Sequence, residues 1–105
     1  STSVSTFCKL ITTGNYNAVK SMIKAGVDID KKSIGMTPLM YAARYNRVDI
    51  VKLLIANGAD LKEKSNKRYT ALKYAEISKA HDTYKIIEDA LKSQKAERKA
   101  KRKRS

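Results

Sequence analysis

An all-α solenoid of about three helix-turn-helix repeats, with short hairpin-like loops and a last helix extended into a basic tail, is the fold the sequence predicts. Two internal echoes and the size of the chain point to it. Thr37-Pro38-Leu39-Met40-Tyr41-Ala42 returns as Thr70-Ala71-Leu72-Lys73-Tyr74-Ala75 at an offset of 33 residues. Ile23-Lys24-Ala25-Gly26-Val27-Asp28-Ile29 returns as Ile55-Ala56-Asn57-Gly58-Ala59-Asp60-Leu61 at an offset of 32, so one residue is inserted before Thr70. A period in this range marks stacked supersecondary units, none of which can bury its apolar face alone. At 105 residues there is room for one small domain, and 42% hydrophobic with 31% charged residues is the balance of a chain that folds.

The first unit, about residues 5–30, lacks a Thr-Pro opening. Its helices turn at Gly14-Asn15, and Val19, Met22 and Ile23 form the buried stripe of the second helix before Gly26 stops it. The middle unit, 35–62, is the most regular. Thr37 is placed to cap a helix and Pro38 to occupy its first position, where a missing N–H costs nothing. Leu39, Ala42 and Ala43 then share one narrow face suited to close helix approach. The chain turns at Asn46-Arg47; a second helix from about Val48 to Ala56 buries Val51, Leu54 and Ile55 alongside Ile50 and Leu53, and Gly58 ends it. The third unit, 68–91, places Tyr84, Ile86 and Ile87 on the equivalent stripe, but Leu91 stands where the other units have their stopping glycine. With Ala, Lys, Glu and Arg abundant from Asp82 to about Ala100 and no Gly or Pro, the last helix is expected to project beyond the stack.

Gly35-Met36-Thr37-Pro38-Leu39-Met40-Tyr41-Ala42-Ala43 and Leu53-Leu54-Ile55-Ala56-Asn57-Gly58-Ala59-Asp60 resemble the opening and closing motifs of the ankyrin repeat family. The resemblance covers about residues 5–91, as one full repeat and two degenerate ones. It departs at Met40, where the family usually has a structural, hydrogen-bonding His. The outer units read as caps, since Ala71 replaces Pro and Glu76 replaces the second Ala in the third. On this reading residues 1–91 form the repeat domain, a complete miniature array, and 92–105 a basic helical extension or tail.

Few motifs carry chemistry. Gly14-Asn15-Tyr16-Asn17-Ala18-Val19-Lys20-Ser21 approaches a phosphate-binding loop, but Val19 replaces the glycine that lets backbone amides reach a phosphate. Asp28-Ile29-Asp30 begins like a calcium loop, yet Ser33 stands at its glycine position, and Asp28 and Asp60 are better read as turn-shaping side chains. His81, read into the third inter-helix turn, is the only histidine and Cys8 the only cysteine, so no disulfide framework, CxxC motif or His/Cys metal site is expected. Cys8 reads as a small core filler. No catalytic set, cofactor or metal is nominated, and no apolar run approaches the roughly 20 residues of a membrane span.

The ankyrin resemblance implies a non-enzymatic module that binds a protein partner through its hairpin tips and inner-helix concave face. Carried over by motif position, the contact residues are Ser33, Ile34 and Met36 before Thr37, and Arg44 and Tyr45 at the exposed end of the inner helix. In the third unit they are Asn66, Lys67, Tyr69, Ile77 and Ser78, and in the first Thr12 and Thr13. Ile34, Met36, Tyr45, Tyr69 and Ile77 would form an apolar patch rimmed by Arg44, Lys67 and Arg68, the aromatic-plus-arginine composition of contact surfaces. The partner's identity stays open, and the chain is expected to be monomeric on its own and intracellular, either cytoplasmic or nuclear.

Charge supplies the second reading. Against 10 acidic residues there are 23 basic ones, a net +13, and +7 of it lies in the 14 residues from Lys92 to Ser105. Lys99, Lys101, Arg102, Lys103 and Arg104 are the candidates for contact with nucleic acid or another anionic surface. No aromatic interleaves them and no apolar stripe continues past Leu91, so base stacking and a membrane-lying helix are both unsupported. Any nucleic-acid affinity there should be sequence-blind and salt-sensitive.

Overall fold

Ser5, Thr37 and Thr70 each start a seven-residue helix, accepting on the side-chain oxygen the backbone N–H three residues on, from Cys8, Met40 and Lys73 respectively. Such caps satisfy amides that the helix leaves without an internal partner. The helices they open are α1 (Thr6–Thr12), α3 (Pro38–Arg44) and α5 (Ala71–Ile77). Each is followed by a turn and an outer helix: α2 (Tyr16–Lys24), α4 (Val48–Ala56) and α6 (His81–Arg104). The computed structural model describes residues 3–104, and among these the secondary structure is these six helices and a single isolated β-bridge. Ser5 is thus the opening residue of the first unit, in register with Thr37 although Thr6 replaces the proline.

Each inter-helix turn passes through one residue in the left-handed region: Gly14, Asn46 and Lys79, at φ 79°, 56° and 56°. Gly and Asn were the expected choices. Lys79 takes the same role in the third turn, and His81, placed in that turn from sequence, is instead the first residue of α6. After Gly26 and Gly58 the chain leaves the outer helix for the next hairpin; without such a stop α6 runs 24 residues, about 36 Å.

Helices of seven to nine residues are far too short to stand alone in water, so packing holds them. The inner row is α1, α3 and α5, with α3 between the other two; α2, α4 and α6 form the outer row behind it. Ile11, Val19, Leu39, Met40, Val51, Leu54 and Ile87 close one continuous seam through all three repeats. Leu53 and Ile55 of the middle unit, and Met22, Ile23, Tyr84 and Ile86 of the outer two, are only partly buried at its flanks.

Polar bonds lock the repeats in register. The Arg47 guanidinium donates from Nε and Nη2 to the Thr12 carbonyl at the end of α1, the Nε bond being 2.9 Å, where a cation also meets the negative pole of the helix. On the other side, the buried Thr83 hydroxyl donates to the Ala43 carbonyl at 2.8 Å, while its N–H donates to Asn46 Oδ1. Asp30 Oδ1 accepts the N–H of Asp60 and so links two exit turns. Asp28 and Asp60 each accept from the N–H two residues on, as their turn-shaping role requires.

Candidate functional site

The hairpins that project from the inner helices are built differently in the second and third repeats. Ser33 and Met36 pair across a two-residue turn, with N–H to carbonyl bonds of 2.8 and 3.2 Å. Both central residues lie at positive φ, Ile34 at 49° and Gly35 at 78°, which is the primed hairpin turn that Asn-Gly normally supplies. Gly35 is required twice over, because a Cβ there would also stand 2.9 Å from the Asn66 amide carbon. In the next hairpin Ser65 pairs with Tyr69 across three residues, Asn66-Lys67-Arg68, with Arg68 at φ 68°. The one-residue insertion that separates the two sequence echoes falls in this loop. The two hairpins join where the Asn66 N–H donates to the Gly35 carbonyl at 2.9 Å.

A groove of about 430 Å³ runs between these hairpins and the ends of the inner helices. Ile34, Gly35 and Met36 line it from one hairpin, Asn66 and Lys67 from the next, and Arg44 and Tyr45 from the end of α3. Tyr41 and Tyr74 form its floor with Val4 at its edge. Six of the ten residues proposed from the second and third repeats are therefore brought together here. Tyr69 stands beside them with its ring edge-on to Tyr74 at 5.6 Å, and the Arg44 guanidinium lies 5.6 Å from the Tyr45 ring. Ile77 and Ser78 occupy the equivalent positions on α5 and do not line the groove.

Exposure separates the candidates. Ile34 is 58% exposed, Ile77 52%, Tyr45 47% and Tyr69 38%, a row of large apolar side chains on one side of the stack. Ser33 and Met36, expected on that surface, are buried instead. A tight two-residue turn presents only its central residues and folds the paired flanks back onto the inner helices. Ser33 consequently serves the fold: its Oγ accepts the Ser5 N–H at 2.8 Å and its carbonyl accepts the Tyr41 hydroxyl at 2.7 Å. Met36 keeps only an edge on the groove. Tyr41, Tyr74 and Val4 were missed as groove residues; the shared position of the two tyrosines in the echoed hexamer was the available signal.

The basic residues divide in the same way. Lys99 and Arg102 line a shallow hollow of about 470 Å³ together with Leu91, Lys92, Lys95, Arg98 and, from the loop after α4, Lys62. Lys101, Lys103 and Arg104 do not line it. A second hollow of about 310 Å³ lies between Phe7, Met22 and Val27 of the first repeat and reaches Ser33 at the base of the next hairpin. Burial raises the Cys8 thiol above its ordinary range, with a Ser5 hydrogen bond opposing it, so the thiol is held as a neutral core group. Among the described residues no buried side-chain polar atom lacks a hydrogen-bond partner. Nor, among them, is any helix long and apolar enough to cross a membrane.

Stacked helical pairs of this length, with hairpins projecting from the inner row, define a helical repeat module. The chain matches the ankyrin-repeat family, as three copies, over residues 7–96, and it belongs to that family. Ankyrin repeats are generally protein–protein interaction modules, and the family is typically non-enzymatic. Among curated proteins the chain is similar to the Ankyrin repeat, SAM and basic leucine zipper domain-containing protein 1 of several mammals. It is 39% identical to that of Carollia perspicillata, 41% to that of Rhinolophus ferrumequinum and 39% to that of Mus musculus, each over 56 residues. The matched segment is 52% of this chain and 12% of each relative.

Proposed function

We propose that the chain is a non-enzymatic adaptor or inhibitor that holds a protein partner against its hairpin tips and the concave face of its inner helices. One observation carries this reading. Ile34, a β-branched residue, sits at φ 49° in the left-handed region and still projects its side chain to solvent. Such a conformation is a genuine outlier for this residue type and costs about 1–3 kcal/mol. Folding gains little from an apolar group left in water, whereas a partner that buries it recovers the hydrophobic contribution. Tyr45 and Tyr69 extend the same apolar row, and Arg44 and Lys67 supply a cationic rim, the arrangement of anchors and border common at contact surfaces.

The test is affinity capture from nuclease-treated extract of the native cell, comparing the full chain, the chain lacking residues 92–105, and a Tyr45→Ala/Tyr69→Ala variant. A partner held by the groove is retained by the first two and lost from the third, whose helicity stays unchanged. Retention by the double variant, or loss with the tail alone, would rule the groove out as the binding surface.

A further inference from the structure

The tail cations form a face rather than a cloud. At 3.6 residues per turn, Lys95, Arg98 and Arg102 lie in line beneath Leu91, with Lys92 and Lys99 beside them, whereas Lys101 and Arg104 point to other sides of α6. The structure agrees: Lys62, Lys92, Lys95, Arg98, Lys99 and Arg102 line one shallow hollow, and no acidic residue is among its lining. Lys92 lies 3.8 Å from Glu88 Oε1, but with its side chain 71% exposed this pair is weak and easily exchanged. Lys62 comes from a different repeat, so the rest of the fold adds a cation to the helix face.

We infer that this face docks on the phosphate backbone of double-stranded nucleic acid without reading its sequence. Three features favour a duplex. From Lys92 to Arg102 the helix rises about 15 Å, the length over which one strand of a duplex sets out four or five phosphates. The face has no aromatic side chain on which an unpaired base could stack, and below Leu91 no apolar side chain to enter a bilayer or anchor in a protein interface. Binding to a regular row of phosphates needs neither, because release of condensed counterions supplies it. This surface is separate from the groove between the hairpins, so either can be present without the other.

The experiment measures fluorescence anisotropy of a labelled DNA duplex of arbitrary sequence, about two helical turns long, between about 50 and 200 mM salt. Four or five phosphates along the helix and one more at Lys62 give a slope of log affinity against log salt of about −4.5 to −5.4. Arg98→Gln with Arg102→Gln should flatten that slope by about 2 and weaken binding tenfold or more, roughly. Lys101→Gln with Arg104→Gln removes the same charge from the other sides of the helix and should change affinity less than about threefold. Lys62→Gln should flatten the slope by about 1, although it lies outside the tail. All variants keep the helical circular dichroism of the parent. Equal effects of the two double substitutions, or none from Lys62→Gln, would overturn the proposal. So would tighter binding, at matched salt, to single-stranded DNA of equal length, to poly-glutamate or to anionic phospholipid vesicles.

Discussion

The Tyr41 hydroxyl donates to the Ser33 carbonyl at 2.7 Å and so fastens the inner helix of the second repeat to the base of its own hairpin. The third repeat repeats the device with a different acceptor, Tyr74 donating to Ser65 Oγ at 2.9 Å. Here Met40 fills the place where the ankyrin family usually has its structural His. Its sulfur accepts the Thr37 N–H at 3.3 Å and completes the helix cap, while the next residue, Tyr41, holds the loop. Tyr41→Phe should therefore leave the helix intact and loosen the hairpin. Losing a buried hydrogen bond of this kind costs about 1–2 kcal/mol. A lower urea midpoint at unchanged m-value is expected, with faster amide exchange at Met36, whose N–H bonds the same carbonyl. An unchanged midpoint would mean that Met40 and the turn hold the hairpin without the tyrosine.

Stability and binding should move in opposite directions at Ile34. Asn accepts the left-handed conformation at little cost, and Asn-Gly is the preferred pair for this turn, so Ile34→Asn should stabilise the chain by about 1–2 kcal/mol. The side chain is mostly in water already, and little burial is lost. Thermal unfolding followed by circular dichroism should show a higher Tm, and capture of a groove-bound partner should weaken. A variant both more stable and fully competent to bind would show that the exposed isoleucine does nothing for recognition.

Local signals were legible in the sequence and distant ones were not. The helix starts at Thr37 and Thr70, the stops at Gly26 and Gly58, the turns at Gly14 and Asn46 and the missing stop at Leu91 all act over a few residues, so their residue types announce them. The burial of Ser33 and Met36 depends on the turn between them being two residues long, and Ile34-Gly35 is a weak form of that signal because isoleucine disguises it. Ser5 was overlooked as a cap because Thr6 stands in place of proline. Arg47 reaches back 35 residues to the Thr12 carbonyl, and Lys62 joins a helix face some 30 residues further on; neither pairing leaves any mark on the local sequence.

The buried thiol makes stability depend on pH in a defined direction. Burial raises the Cys8 pKa above its ordinary 9.0, so the unfolded chain releases this proton at a lower pH than the folded one does. Its contribution to stability is complete below about pH 9 and is lost as pH rises toward the folded value, at up to about 1.4 kcal/mol per pH unit. Tyr41, raised from 10.0 chiefly by its own burial, adds a loss of the same sign at higher pH. Urea midpoints measured from pH 8 to 10 should fall for the parent. Cys8→Ala should fall less between 9 and 10, although it starts lower because it leaves a cavity in the seam. Parallel pH profiles for the two chains would show that another group carries the effect.

The third repeat keeps the cap of the second without its proline, which gives a substitution expected to stabilise. Ala71 is the first residue of α5, directly after the capping Thr70, and it aligns with Pro38 at the start of α3. Proline at a first helical position gives up an N–H that has no partner inside the helix, and its ring presets the required φ. The residue before it must be extended, and Thr70 already is, at φ −86° and ψ 169°. Ala71 is buried, as Pro38 is at the equivalent place, so the ring has a precedent for fitting against the inner row. Ala71→Pro should raise stability by about 0.4–1 kcal/mol, mainly by narrowing the conformations open to the unfolded chain. The gain should appear as a higher urea midpoint with no change in m-value. A lower midpoint would show that the contact between α3 and α5 is too close to admit the ring.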